Sequence, residues 1–199
     1  IEMEDLFDSL ITDETKPLAE RMRPVNIKQF LGQSHICEEG SLLRRAIQLD
    51  RLGSCIFYGP PGSGKTTLAN IIANSTNGAF VKLNAVSSGV SDVKKVVEEA
   101  KERLKLYGKK TYLFLDECHR FNKTQSDSLL PAIEQGTIIF VGSTTENPYA
   151  SMTPAIVSRC RVFEFKRLSN EIIERALFNA INDKTRGFKG LDLIVDDDA

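Results

Sequence analysis

The fold of this chain is decided by the stretch Gly59-Pro60-Pro61-Gly62-Ser63-Gly64-Lys65-Thr66. The stretch matches G-x-x-x-x-G-K-[ST] in full and lies between an apolar run and a helical pattern, which is the context that a phosphate-binding loop requires. Backbone N–H groups of such a loop point at phosphate oxygens, and the following helix N-terminus adds a partial positive charge. The sequence therefore predicts a nucleotide site in which Lys65 contacts the β and γ phosphates and the Thr66 hydroxyl ligates magnesium. Thr67, in the same first helical turn, belongs to the predicted contacts.

Five short apolar runs alternate with helical patterns along the chain, which predicts an α/β fold: a five-stranded parallel sheet flanked by helices. The runs are residues 54–58, 79–83, 111–115, 138–141 and 162–165. Most are densely apolar, as expected of strands buried on both faces. The clearest helix, with Ser91 as its predicted N-cap, carries a 3.6-residue stripe of Val93, Val96, Val97, Ala100 and Leu104.

The third apolar run ends in two acids, Asp116 and Glu117. A carboxylate at the end of a strand beside the phosphate loop is needed to hold the magnesium shell, and Asp116 is the candidate. Glu117 is placed to orient and deprotonate the water that attacks the γ phosphate. These two residues complete the predicted catalytic pair.

Two more polar residues flank later runs. If the fourth strand enters between the first and the third, Thr145 would lie beside the second carboxylate. Its hydroxyl would then either contact the γ phosphate or the lytic water, or be satisfied by a hydrogen bond within a turn. Arg159 precedes the last run and is either a surface ion pair or an arginine finger donated to a neighbouring subunit. The sequence alone does not decide between the two interpretations of Thr145 or between the two interpretations of Arg159.

Other nucleotide enzymes fit less well. The sequence Asp116-Glu117-Cys118-His119 also spells a helicase motif, but 199 residues leave no room for a second motor domain. The GTPase reading fails because Gln125 stands where the guanine-reading motif needs an acid. Adenine is therefore the predicted base.

Composition excludes some partners and leaves others open. With 26 basic and 27 acidic residues, the chain has no global bias toward nucleic acid or membrane. Residues 92–110 hold seven basic and four acidic side chains, which favours a solvated helix face over a nucleic-acid patch. No apolar run approaches the length of a membrane span. The four cysteines and two histidines lack metal-ligand spacing. Four cysteines without a pattern are typical of a protein of the reducing cytosol.

Taken together, the motifs resemble the AAA+ ATPases of the clamp-loader branch, and specifically the replication-associated recombination protein A family, called RarA or MgsA in bacteria. The likeness covers about residues 17–195. The segments that carry it, besides the phosphate loop, are residues 17–24 (PLAERMRP), Gly32-Gln33, residues 116–123 (DECHRFNK), residues 144–148 (TTENP) and Ser158-Arg159-Cys160.

The resemblance implies roles for several residues. The arm with Arg23, Pro24, Gly32 and Gln33 would cradle the adenine, Thr145 would be the sensor-1 residue, and Arg159 would be the finger acting in trans. It also implies a division into an N-terminal extension (1–16), an ATPase core (17–168) and the beginning of a truncated helical lid (169–199). On this expectation the chain is the N-terminal ATPase fragment of a longer protein.

The family likeness also implies a function: a magnesium-dependent, DNA-stimulated ATPase acting in replication-fork maintenance, recombination and repair. The expected ligands and partners are ATP, Mg²⁺, forked or single-stranded DNA, replication proteins and further copies of the chain, in the bacterial cytoplasm near the nucleoid. A rival reading is a nucleotide-gated scaffold in which ATP binding orders a DNA or protein surface and hydrolysis is incidental. A helicase motor is the weaker third reading.

Overall fold

The computed structural model describes residues 16–188. Most of the predicted N-terminal extension and the end of the predicted lid lie outside the described residues. The chain divides into two units: Val25–Leu168, which contains the whole sheet, and a second unit to which residues 16–24 and 169–188 belong.

The strands of the first unit are β1 (Cys55–Tyr58), β2 (Ala79–Asn84), β3 (Thr111–Asp116), β4 (Ile138–Thr144) and β5 (Arg161–Glu164). The helices of both units, in chain order, are α1 (Leu18–Arg21), α2 (Ser34–Cys37), α3 (Leu42–Gln48), α4 (Lys65–Ser75), α5 (Val90–Tyr107), α6 (Lys123–Glu134), α7 (Pro148–Ser151), α8 (Pro154–Val157) and α9 (Asn170–Asn182). Short 3₁₀ turns occupy Ile27–Gln29 and Cys118–Arg120.

The five strands form one parallel sheet in the order β2-β3-β4-β1-β5. The predicted fold class is confirmed, and β4 does lie between β1 and β3. All strands therefore end at the same edge of the sheet, and the loops that follow β1, β3 and β4 become neighbours there. This carboxyl edge is where ligands bind in open α/β sheets.

Two apolar cores cover the two faces of the sheet because successive strand residues point to opposite sides. Ile56, Leu113 and Phe140 pack on one face with α5 and α6. Phe57 and Phe114 pack on the other face with α3 and α4. Burial on both faces explains why the strands read as dense apolar runs, as predicted.

Local capping fixes where the helices begin. Gly89, not the predicted Ser91, is the N-cap of α5, because the Asp92 carboxylate accepts a hydrogen bond of 2.7 Å from the Gly89 N–H. Asn122 caps α6, and its side chain and that of Gln125 bond each other's backbone N–H groups. The second cap fixes the start of α6 shortly after β3.

The second unit holds the helices α1 and α9. Its helix α9 leaves Ile173, Leu177 and Phe178 exposed, and the Asp183 carboxylate pairs with the Arg186 guanidinium at 2.9 Å. Within residues 16–188, no helix combines the length and the apolarity needed to cross a membrane.

Candidate active site

The loop between β1 and α4 adopts a backbone that only glycine accommodates at two points. Gly59 has a φ of 149°, and a Cβ built there would lie 2.1 Å from the carbonyl oxygen of Phe165. Gly64 has a φ of 102° and caps α4, with the Phe30 ring 3.2 Å from where its Cβ would be. The glycines of the motif are therefore required by the turn itself and by the close approach of the neighbouring chain.

Lys65 points its ammonium group into this loop. Its Nζ donates hydrogen bonds of 2.7 Å to the carbonyl oxygens of Gly59 and Pro60, and the side chain is nearly buried. Burial lowers the pKa of Lys65, while the negative charges of Glu117 and Asp116 act in the opposite direction. A cation held inside a glycine-rich loop beside two carboxylates is the charge arrangement that a bound nucleotide polyphosphate with its metal ion requires.

The rest of the loop divides into a buried anchor and an exposed rim. Ser63 is buried, and its hydroxyl donates to the Pro60 carbonyl oxygen at 2.7 Å. Pro60, Pro61 and Gly62 at the tip of the loop are exposed. In the first turn of α4, Thr66 is exposed and Thr67 is half-buried. The predicted phosphate contacts are thus on the accessible side of the loop.

The two predicted carboxylates lie where β3 ends. Asp116 is the last residue of the strand, and its Oδ1 accepts the N–H of Glu117 at 3.1 Å. Glu117 adopts the left-handed region with φ 54° and ψ 39°, which is uncommon for a residue other than glycine. The chain therefore turns sharply at the catalytic candidate, and strained backbone of this kind is concentrated at functional sites.

Gln33, predicted to lie beside the adenine, holds the loop in place through its side-chain amide. Its Nε2 donates to the carbonyl oxygens of Ser63 at 3.0 Å and Lys166 at 2.6 Å, and its Oε1 accepts the Lys166 N–H at 2.8 Å. The amide is thus fully used by backbone groups of the loop and of the segment after β5. Gly32 precedes it with a φ of 78°, and a contact of either residue with adenine stays a prediction.

Arg23 and Pro24, the other two residues predicted to lie beside the adenine, belong to the second unit. There the Arg23 guanidinium pairs with the Glu20 carboxylate at 2.9 Å.

The structure adds Thr144, the last residue of β4, to the site beside the predicted Thr145. Thr144 is buried, lies opposite Tyr58 in the sheet, and accepts the Gly59 N–H on its carbonyl oxygen at 3.1 Å. Thr145, the predicted sensor, follows the strand and is exposed. Sequence reasoning ended the strand at Val141 and so missed the contribution of Thr144.

His119 was also missed. Its side chain is 6% exposed and its Nδ1 lies 2.8 Å from Thr144 Oγ1 and 3.6 Å from Glu117 Oε2. Its Nε2 lies 3.5 Å from Glu146 Oε1. The available signal was the position of His119 two residues after a candidate catalytic glutamate.

Arg159 lies at the opposite edge of the sheet from the phosphate loop. It precedes Arg161, which pairs with Cys55 at the start of β1, whereas the phosphate loop follows the end of β1. The strand separates the two by roughly 13 Å. Its guanidinium pairs with the Glu134 carboxylate at 2.5 Å and helps to line an open cavity of about 760 Å³. Arg159 is therefore placed away from the nucleotide loop of its own chain.

The comparisons with known proteins agree with this geometry. Residues 55–168 match the family model described as "ATPase family associated with various cellular activities (AAA)", and the chain belongs to this family. Among solved structures, the Thermotoga maritima RuvB Holliday junction branch migration motor superimposes with a TM-score of 0.66 and 27% identity, over 80% of this chain and 54% of that one.

Curated relatives narrow the likeness. Replication-associated recombination protein A of Escherichia coli is 48% identical over 183 residues, which are 92% of this chain and 41% of the relative. The ATPase WRNIP1 of Dictyostelium discoideum is 45% identical over 92% of this chain and 21% of its own length. The chain thus spans about two fifths or less of the length of these relatives, and the resemblance to the replication-associated recombination protein A family is confirmed.

Proposed function

We propose that this chain is the nucleotide-hydrolysing part of a magnesium-dependent, DNA-stimulated ATPase that acts in replication-fork maintenance, recombination and repair. The observation that carries the proposal is one cluster: the Lys65 ammonium inside the glycine loop, with Asp116 and Glu117 at the end of a nearby strand. The loop binds the polyphosphate of ATP, and the carboxylates serve the metal ion and the attacking water.

Hydrolysis proceeds by in-line attack of a water molecule on the γ phosphate. Glu117 accepts the proton of that water and orients its oxygen, while Lys65 neutralises charge on the transferred phosphoryl group. Thr145, exposed beside the end of β4, contacts the γ phosphate or the water. Electrostatic stabilisation by groups fixed before the reaction supplies much of the rate.

The residues present suit magnesium. The Thr66 hydroxyl and the Asp116 carboxylate, partly through water, are the oxygen ligands that this hard cation prefers. Bound magnesium would neutralise charge on the β and γ phosphates. Thr66 is exposed and Asp116 half-buried, so both oxygens are accessible to a bound nucleotide.

Arg159 serves the active site of a neighbouring copy. Its place at the amino edge of the sheet, across the strands from the phosphate loop, fits a finger that acts in trans and not in cis. The assembled protein is therefore the active form, and the 199 residues alone hydrolyse ATP poorly. An arginine finger contributes about 10³-fold or more to turnover in related nucleotide hydrolases.

The names of the relatives support the biological setting of the proposal. Relatives named for replication-associated recombination and a RuvB branch migration motor lead us to assign DNA as the effector and replication proteins as partners. The near-neutral charge of the chain means that DNA is met by local patches or by other parts of the natural protein. We place the protein in the bacterial cytoplasm near the nucleoid.

The test compares ATP binding with turnover in the natural full-length protein, with and without forked DNA. Glu117→Gln should keep ATP affinity and lose turnover, because the amide cannot accept the proton of water. Unchanged phosphate release by this variant would contradict the proposal. If the unmodified protein released no phosphate with any DNA, while ATP still altered its DNA or partner binding, a nucleotide-gated scaffold would be the correct function.

A further inference from the structure

The imidazole of His119 lies between the catalytic candidate Glu117 and the end of β4. Its side chain is 6% exposed, and it has a polar neighbour on each ring nitrogen: Thr144 at 2.8 Å and Glu117 at 3.6 Å from Nδ1, and Glu146 at 3.5 Å from Nε2. A buried polar ring in such a position is oriented by its partners and in turn orients them. None of the roles assigned above uses this residue.

Glu117 needs such orientation because its backbone is in an unfavourable conformation. Its left-handed φ of 54° persists only where surrounding contacts determine it. The Asp116 carboxylate accepts its N–H, and its carbonyl oxygen accepts the Arg120 N–H at 2.8 Å. These bonds fix the backbone, and the Glu117 carboxylate itself has the Nδ1 of His119 as a neighbour at 3.6 Å.

Thr144 connects His119 to the phosphate loop. Its Oγ1 accepts the Glu146 N–H at 3.0 Å and shares the hydrogen bond with His119 Nδ1. Its carbonyl oxygen accepts the N–H of Gly59, the first residue of the loop. One buried residue at the end of β4 thus bonds both the loop that receives the phosphates and the ring beside the carboxylate.

We propose that His119 is a positioning residue, which holds the Glu117 carboxylate in its water-activating orientation and ties it through Thr144 to the phosphate loop. His119 does not touch the reacting atoms; it acts through Glu117. The inference rests on the proposed hydrolysis, in which Glu117 is the base. Displacing a catalytic group by about 1 Å can cost about 10²-fold in rate, which sets the size of the expected effect.

The experiment measures kcat, KM for ATP, the affinity for a non-hydrolysable ATP analogue and the melting temperature in the natural full-length protein. His119→Ala should lower kcat by about 10- to 100-fold with little change in analogue affinity, because the phosphate loop stays formed. His119→Asn, whose amide can still reach Thr144 Oγ1, should restore part of kcat. His35→Ala is the matched control: His35 is exposed, its Nε2 lies 2.8 Å from the Glu164 carbonyl oxygen, and its loss should leave kcat unchanged.

Thr144→Val provides a second, nearly isosteric variant should His119→Ala fail to fold. It removes the hydroxyl that holds the ring, and the combined loss in the double variant should be smaller than the product of the single losses. Equal loss of analogue affinity and kcat, or a kcat equal to that of the wild type in both variants, would overturn the inference. Failure of the proposed function gives a different result, namely turnover that survives Glu117→Gln.

Discussion

The two edges of the sheet differ in how firmly they hold their functional groups. At the carboxyl edge, Lys65, Gln33, Thr144 and His119 are buried and bonded to backbone or to one another. At the amino edge, Arg159 lies exposed against the Glu134 carboxylate beside an open cavity. The groups around the phosphate loop are fixed by buried contacts, whereas the proposed arginine finger is accessible.

This difference follows from what each edge has to do. Groups that receive phosphates must be fixed before the reaction, since reorganising them would raise the barrier. On the proposed function, Arg159 serves a neighbouring copy and must remain accessible, which agrees with its place in a surface ion pair, a kind of contact that contributes little stability. Substitutions of the anchoring residues Gly59 and Gln33 at the carboxyl edge should therefore affect folding and ATP binding, whereas substitution of Arg159 at the amino edge should affect turnover alone.

The largest effect is expected for Arg159→Ala. Turnover of the assembled protein should fall by about 10³-fold, because the neighbour's transition state loses its positive charge. The free energy of unfolding should change by less than about 1 kcal/mol, because the pair with Glu134 is exposed. Steady-state phosphate release and urea unfolding measure the two quantities. The control is Arg161→Ala, which removes an exposed arginine two residues along the chain. If Arg159→Ala turned over ATP as fast as the wild type, the distinction between the two edges would be wrong.

Gly59→Ala should be the most damaging change for stability. The added methyl group would lie 2.1 Å from the Phe165 carbonyl oxygen, and the φ of 149° disfavours alanine. We expect a loss of about 3 kcal/mol in the free energy of unfolding, together with loss of ATP binding. Gly53→Ala, just before the same strand at the amino edge, meets nothing within 4 Å and should be neutral. Similar unfolding curves for the two variants would show that the loop is not constrained as described.

Gln33→Ala should cost about 2 kcal/mol, because it leaves the backbone groups of Ser63 and Lys166 without their side-chain partner. ATP affinity should fall with it, since the loop loses its tie to the segment after β5. Calorimetric melting and nucleotide titration check both statements. The control is Gln135→Ala, an exposed glutamine at the end of α6. If the two variants had the same melting temperature, the amide of Gln33 would not anchor the loop.

The smallest effect concerns Asp50 at the amino edge. Burial alone would raise the pKa of Asp50, but hydrogen bonds from Thr76, Asn77 and Tyr112 and the charge of Lys110 outweigh it and hold the pKa below its ordinary value. Because the folded-state pKa is the lower one, the carboxylate contributes stability above the unfolded value, and this is lost as the pH falls through the folded pKa. Asp50→Asn should therefore flatten the decline in unfolding free energy below about pH 4, measured by urea titration. An unchanged slope would contradict the shift.

Much of the fold was readable from the sequence because its signals are local. The phosphate loop and the five dense runs each span fewer than ten residues and follow from strand burial and loop geometry. The pair of acids at the end of β3, Asp116 and Glu117, was found in the same way. Their assigned roles remain predictions.

The contacts within the site could not be read, because their partners are far apart in sequence. His119 meets Thr144 across 25 residues, and Gln33 meets Lys166 across 133. The end of β4 was missed because the Gly142-Ser143-Thr144 sequence reads as a turn, although β1 pairs with all three residues and β3 also pairs with Gly142, which keeps them extended. Long-range hydrogen bonds of this kind leave no periodic trace.

The central claim, that one chain supplies the nucleotide half and its neighbour the arginine half, is tested most directly by mixing two inactive variants. Glu117→Gln and Arg159→Ala proteins should each be nearly inactive. When assembled together at random, about a quarter of their interfaces should join an intact Glu117 site to an intact Arg159, and ATP turnover should reappear. Mixed assemblies that remain as inactive as the separate variants would contradict the claim.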